Sequence, residues 1–573
     1  MLEDTIAVAR GERPADLLLR GGRVVNTLAG EVMEADVAIY DGRVVGLATG
    51  DEVYEAHEVV VLNGAYVCPG FIDAHVHLES SMVHPAEFAR AVVPRGTTAV
   101  IADPHEIANV LGLYGIRYMM ESSMGLPLDV YVMASPCVPA THMETSGATL
   151  SARDLALLLH DERVLGVAEM MNYPGVLFCD PEVMAKIVVA GDRPIDGHAP
   201  MLSGKDLNAY VVAGIGSEHE CTTVDEAREK LRLGMRIFIR EGTTARNLEA
   251  LLPLVTPLNA RRCSFCDDDR HPADLLNEGH MDFIVRKAIR LGCPPLTAIQ
   301  MTTINPAEYF HLHHHGAVAP DFVADLVVFD DLQAPQARQV YKAGRLVAEN
   351  GVLLPDALAE ARRIPIRSSI NVDWLSVDFQ VPAQGDVIKV IGMVPDQIVT
   401  RKLVEPARIE DGLVVADVER DILKMAVVER HMASGNVGLG FVKGVGLKRG
   451  AMASSVAHDS HNIVVIGAND KDMMTACIEI VRMRGGQVVV ADDEVLARLP
   501  LPIAGLMSEE PLEKVREGNE ALAKAAADLG CRLRDPMMAM AFLALPVIPT
   551  LKLTDKGLVD VEKFALVSLF GEE

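Results

Sequence analysis

Short apolar runs recur along the first two thirds of the chain, and most of them end on a residue capable of chemistry. Residues 15–66 read as strands separated by turns, with Asp41-Gly42 lying between the apolar runs 35–40 and 43–47. An Asp-Gly pair in that setting signals a β-hairpin, because both turn positions need positive φ. From 67 to 315, strand-like runs alternate with helical stretches, the pattern of parallel βαβ units. The run from Val67 reaches Asp73-Ala74-His75-Val76-His77, and 97–102 leads to Asp103-Pro104-His105-Glu106. Residues 128–133 lead to Ala134-Ser135-Pro136, 164–168 to Glu169, 193–197 to His198 and 215–218 to His219. Residues 236–240 lead to Glu241, and 263–266 to Asp267-Asp268-Asp269. Such strand ends converge on one face of a (β/α)8 TIM-type barrel, where active sites lie.

The pattern changes twice more. Residues 316–352 return to strand character. Beyond them, 366–573 reads as a separate α/β (or α+β) unit with strands at 387–391 and 461–467 and helices at 421–432 and 470–483. The glycine-rich stretch from Gly435 to Gly450 misses both the dinucleotide fingerprint and the phosphate-loop spacing, so it is expected to be a flexible or tightly turning loop. His458, Asp459 and His461 sit beside a strand, either as a substrate-side wall reaching the barrel mouth or as surface polar residues.

Composition narrows the function. The 573 residues carry 53 Lys and Arg against 80 Asp and Glu, a formal net charge of −27. That balance disfavours nucleic acid and anionic membranes as partners, since both reward clustered cations. The acidic opening Met1-Leu2-Glu3-Asp4 has no basic or apolar leader region, and the apolar stretch 537–548 is too short to span a bilayer. Nine irregularly spaced cysteines fit a reducing compartment, so a cytoplasmic location is expected.

The strand ends supply the chemistry. On a strand, residues i and i+2 face one side, so His75 and His77 can aim two imidazoles at one point. Taken singly, a strand-end histidine is more often hydrogen-bonded than metal-bound. The argument is the joint set: His75, His77, Glu169, His198, His219 and one of Asp267, Asp268 and Asp269. Several imidazoles, a bridging anion and a carboxylate free to move protons are what a two-metal hydrolytic site requires. His142-Met143-Glu144 with Cys263-Ser264-Phe265-Cys266 mimics the zinc deaminase signature. The proline before the cysteines is missing, however, and the pair falls on a barrel strand, so it is set aside.

Pro69-Gly70-Phe71-Ile72-Asp73-Ala74-His75-Val76-His77 resembles the first-strand motif of the amidohydrolase superfamily. The motif continues into Leu78-Glu79-Ser80-Ser81, and Glu169 stands where many relatives carry a carboxylated lysine. With 103–109, 196–200, 217–220, 456–462 and 543–549, these strings resemble the bacterial adenine deaminase family across nearly the whole chain. The resemblance implies a composite β-sandwich (1–66 and 316–365), a metal-binding barrel (67–315) and a family-type C-terminal domain (366–573). It also implies hydrolysis of adenine to hypoxanthine and ammonia by a metal-activated hydroxide, with two Mn²⁺ or Fe²⁺ ions rather than Zn²⁺, in a homo-oligomer. His75 and His77 would hold one ion, His198 and His219 the other, with Glu169 between them. The family pattern has Thr where Asp267 stands, which favours Asp268 as ligand and proton shuttle, with Asp269 its rival. His105 or Glu106 would protonate N1, and Asp103 would fix the base's edge. Another cyclic C–N hydrolase, or a non-catalytic binding protein on the same scaffold, are the competing readings.

Overall fold

The computed structural model describes residues 2–243, 245–394 and 397–571. Eight parallel strands follow one another in chain order: β1 (Phe71–Val76), β2 (Thr97–Ala102), β3 (Asp129–Ala134), β4 (Val164–Met170), β5 (Ile195–Gly197), β6 (Ser217–Glu218), β7 (Arg236–Arg240) and β8 (Cys263–Cys266). β1, β2 and β8 are buried along their whole length, as expected of strands inside a barrel and covered by helices. Cys263 and Cys266 belong to that core.

The barrel closes between β8 and β1 through polar groups. Asp268 N–H donates to the His75 carbonyl at 3.0 Å, and His77 N–H donates to the Asp268 carbonyl at 3.1 Å. Asp73 Oδ1 accepts from Asp267 N–H at 3.1 Å. His280 Nε2 lies 3.1 Å from Asp73 Oδ2 and 3.2 Å from Asp267 Oδ2, all three side chains being fully buried. His280 caps the helix Met281–Arg290, which packs over this seam. That helix buries Met281, Ile284, Val285, Ala288 and Ile289, the i, i+3, i+4, i+7, i+8 stripe of an amphipathic helix.

A nine-stranded sheet unites segments from both sides of the barrel, because Tyr66–Pro69 pairs antiparallel with Leu326–Phe329. The Asp41-Gly42 hairpin is present, with φ of 49° and 73° at the two turn residues. The chain leaves this sheet at Pro69 and enters β1 at Phe71.

The C-terminal unit holds a mainly antiparallel eight-stranded sheet against which the helix Asp470–Arg482 packs. Two expectations fail here. Residues 421–432 are not helical: Ile422–Val428 is a strand between Val437–Lys443 and Ile463–Gly467. Every residue of it is buried, so it lacks the period-two alternation that marks a half-exposed strand. The glycine-rich stretch likewise contains the strand Val437–Lys443, and the loop begins only at Gly444. Gly438 permits this because a Cβ there would lie 1.8 Å from the Thr554 carbonyl oxygen. Glycine here serves close backbone approach rather than looseness.

The C-terminal unit docks on the face of the barrel where the strands end. Ser508 exchanges backbone hydrogen bonds with Met82 and His84, Arg90 forks onto Glu513, and Thr145 N–H donates to Asp555. One continuous apolar cluster includes Val83 and Phe88 from the barrel side and Leu506, Met507 and Met540 from the other. Among the described residues, no helix is long and apolar enough to cross a membrane. Replacing His280 with alanine leaves Asp73 and Asp267 buried without their shared partner. It is expected to lower stability by about 3–5 kcal/mol, read as a shift of the denaturation midpoint followed by circular dichroism.

Candidate metal centre

Strand parity sorts the polar residues at the top of the barrel. Glu218 turns outward onto the buried Lys230, 3.2 Å away, while its neighbour His219 faces the mouth. Glu241 likewise pairs with Lys287 on the helix outside the barrel, so Arg240, not Glu241, is the β7 residue that reaches the mouth. His198 follows β5, and its backbone N–H donates to the Tyr210 hydroxyl at 3.1 Å.

Glu169 is the centre of the arrangement and is 2% exposed. Its Oε1 lies 3.2 Å from His75 Nε2 and 3.0 Å from His77 Nε2. Its Oε2 lies 2.5 Å from His198 Nδ1 and 3.4 Å from His219 Nε2. Each oxygen of one carboxylate therefore faces its own pair of imidazoles. Asp268 Oδ1 lies 3.3 Å from His77 Nε2 and 3.7 Å from His75 Nε2.

The three adjacent aspartates separate cleanly. Asp267 turns to His280 and Arg270 inside the barrel seam. Asp269 accepts from the Ser80 hydroxyl. Asp268, at φ +63°, alone of the three reaches the histidines. Its other oxygen accepts from Arg240 Nη1 at 2.8 Å, and Arg240 also holds Glu220. Burial works against the Asp268 charge, yet Arg240, His77 and His219 hold its carboxyl far below the usual range. Burial likewise opposes the charge of Glu169, and His219 and His198 more than offset it.

These residues fit divalent ions on electrostatic grounds. His77 Nδ1 is 2.9 Å from the Asp103 carbonyl oxygen, which can only accept, so a ring proton sits on Nδ1. Burial opposes a charge on the His77 ring, yet Asp268 and Glu169 raise it well above the ordinary imidazole value. Glu169 Oε1 and Asp268 Oδ1 thus call for positive charge at His77 Nε2, which a proton supplies and a divalent ion in its place would supply as well. Imidazole and carboxylate donors without thiolate match borderline first-row ions, since the nearby Cys266 is kept protonated by burial.

A second cluster adjoins the first. His105 meets the His77 ring edge-on at 4.6 Å. Its Nδ1 is 3.1 Å from Asp103 Oδ2, and its Nε2 is 3.4 Å from Glu106 Oε1. Asp103 Oδ1 accepts from Ser135 at 2.6 Å, so both oxygens of Asp103 are engaged in fixing its neighbours. Glu106 reaches His458 and His461 of the C-terminal unit. His458, Asp459 and His461 are 6%, 4% and 1% exposed, so the surface reading of these residues is wrong. They lie against Glu106 of the barrel where the C-terminal unit docks on it. Arg240 and Glu220 were missed among the sequence candidates. Arg240 carried a legible signal, as the last inward position of a strand whose neighbouring strands all end on site residues.

Residues 66–351 match the amidohydrolase family, and residues 397–565 match the adenine deaminase C-terminal domain. Over 573 residues the chain is 50% identical to an adenine deaminase of Desulfatibacillum aliphaticivorans, covering 100% of both chains. It is 51% identical over 568 residues to an adenine deaminase of Oleidesulfovibrio alaskensis, covering 99% of this chain and 98% of that one. It is 49% identical over 575 residues to one of Methanothrix thermoacetophila, covering 100% of both. Replacing Glu169 with alanine is expected to reduce tightly bound divalent metal at least twofold, since among the described residues the carboxylate that faces both imidazole pairs is lost. Elemental analysis after gel filtration reads this, with circular dichroism to verify the fold.

Proposed function

We infer the chemistry from a fixed premise: the chain belongs to the amidohydrolase family and, within it, to the adenine deaminases. It hydrolyses the exocyclic C–N bond of adenine, releasing ammonia and leaving hypoxanthine. The assignment of residues to that reaction is our proposal, carried by Glu169 and the two pairs of imidazoles that face its two oxygens.

His75 and His77 would hold one divalent ion and His198 and His219 the other, with Glu169 between them and Asp268 completing the set. The donors suit divalent first-row ions, and the family likeness favours Mn²⁺ or Fe²⁺ over Zn²⁺. Divalent metal held there would lower the pKa of bound water towards ~7 and so supply a nucleophile at neutral pH. Asp268 Oδ1 accepts the proton released as the nucleophile adds to C6, then gives it to the departing amino nitrogen. Arg240 keeps Asp268 in one orientation through its other oxygen. N1 must gain a proton as the ring loses aromaticity, and His105 or Glu106, which lie 3.4 Å apart, would supply it. Asp103, which also holds the His105 ring, would fix the base's edge. The C-terminal unit covers this face and keeps bulk water from the reacting centre.

Three further points belong to the same reading. The composite sandwich, the barrel and the C-terminal domain divide near 66, 315 and 365. The nine free cysteines, eight of them buried, suit a cytoplasmic enzyme. A homo-oligomer, dimer or higher, is carried from the family likeness and is measurable by light scattering.

Protein loaded with Mn²⁺ is expected to release ammonia from adenine, and far more slowly if at all from adenosine and cytosine. Asp268→Asn is expected to lower kcat by about 10²–10⁴-fold while two ions remain bound. Near-normal turnover of that variant with its metal in place would overturn the role given to Asp268.

A further inference from the structure

Glu106 stands on the barrel, but what holds it comes from the other unit. Its Oε1 is 2.7 Å from His458 Nδ1, and its Oε2 is bonded to His461 Nε2. All three side chains are nearly inaccessible to water. Glu106 and His461 are separated by 355 residues of chain, so this contact exists only because the two units dock.

The loop 457–462 that delivers the histidines is fixed from several sides. The buried Arg430 donates through Nε to the His461 carbonyl and through Nη2 to the Ala504 carbonyl at 3.0 Å. Asn462 Oδ1 accepts from Arg430 N–H at 3.2 Å, and Asn462 Nδ2 donates to the Thr145 carbonyl of the barrel at 2.8 Å. His431 Nε2 donates to the Ser460 carbonyl at 2.7 Å. The His458 ring lies flat on Phe542, with 4.7 Å between centroids and 17° between planes.

Three groups of this kind could also ligate a cation. The proton positions argue otherwise. His461 Nδ1 accepts the Ala457 N–H at 3.1 Å, so the neutral ring carries its proton on Nε2, the atom aimed at Glu106. Burial pushes His461 down to about 4, which keeps that ring neutral. The place a metal would need at Nε2 is thus filled by a hydrogen-bond proton. His458 is different: burial opposes its charge, but Glu106 pushes it up to about 9, so its bond to Glu106 is charge-assisted.

We propose that His458 and His461 are positioning residues of the catalytic site, holding the Glu106 carboxylate in one orientation against His105, and that the C-terminal unit is thereby part of the catalytic apparatus. This rests on the role given to Glu106 above. A carboxylate with both oxygens bound cannot rotate away, and its Oε1 stays within 3.4 Å of His105 Nε2. Two fixed donors therefore organise a proton-handling pair that the barrel alone leaves loose.

The test uses the full chain loaded with Mn²⁺. His461→Ala is expected to lower kcat for adenine about 10–100-fold, with a smaller change in KM and two ions still bound. His461→Gln, whose amide offers both a donor to Glu106 and an acceptor for Ala457 N–H, is expected to recover most of the loss. In an Glu106→Ala background, His461→Ala is expected to change kcat less than twofold, because the pair acts as one unit. An inactive Glu106→Ala variant together with a His461→Ala variant within threefold of the parent in kcat would overturn the positioning role. So would equal losses from His461→Ala with and without Glu106. A third equivalent of metal, lost on His461→Ala, would overturn the hydrogen-bond assignment. Near-normal activity of Glu106→Ala would instead refute the role given to Glu106 itself.

Discussion

One buried carboxylate, Glu169, faces four imidazoles, and this constraint accounts for much of the surrounding structure. A carboxylate at 2% exposure is costly unless charge and hydrogen bonds compensate it. Three strands supply the compensation to Glu169 on β4, since His75 and His77 lie at the end of β1, and His198 and His219 just past β5 and β6. A sheet rolled into a barrel brings residues far apart in sequence to within hydrogen-bond distance of one another. The same geometry requires polar closure between β8 and β1, where Asp73, Asp267 and His280 hold Asp268 next to the histidines.

Compensation of charge then propagates outward. Asp268 needs Arg240, and Arg240 is shared with Glu220. His77 is oriented by the Asp103 carbonyl, Asp103 by Ser135, and His105 by Asp103. Glu106 ends the chain of partners, and its own partners lie in the other unit. The C-terminal unit is thus tied to the metal centre by buried charges as well as by apolar packing.

Much of the site was legible because strand ends carry a strong local signal. His75-Val76-His77 shows its parity in three residues, and Glu169, His198 and His219 each follow a short apolar run. Arg240 was not recognised because the run 236–240 seemed to lead to Glu241, and one step of parity exchanges the inward and outward residue. Residues 421–432 were misread for a related reason. A strand buried on both faces has no alternation, so its apolar run is indistinguishable by period from a buried helix. Among the three aspartates the sequence offered no parity argument at all, since the positive φ at Asp268 redirects the chain within the run.

The composite small sheet was implied by the family resemblance; by itself the sequence determined the barrel and the types and order of the polar residues that end its strands. These depend on short-range patterns: period, turn residues and the residue that ends each strand. The tertiary structure alone decided which aspartate faces the histidines, that Arg240 braces it, and that His458 and His461 are buried against Glu106. Those outcomes depend on contacts across hundreds of residues and on the relative placement of two separately folded sheets. No local pattern encodes which of several polar residues will lose its water when the units meet.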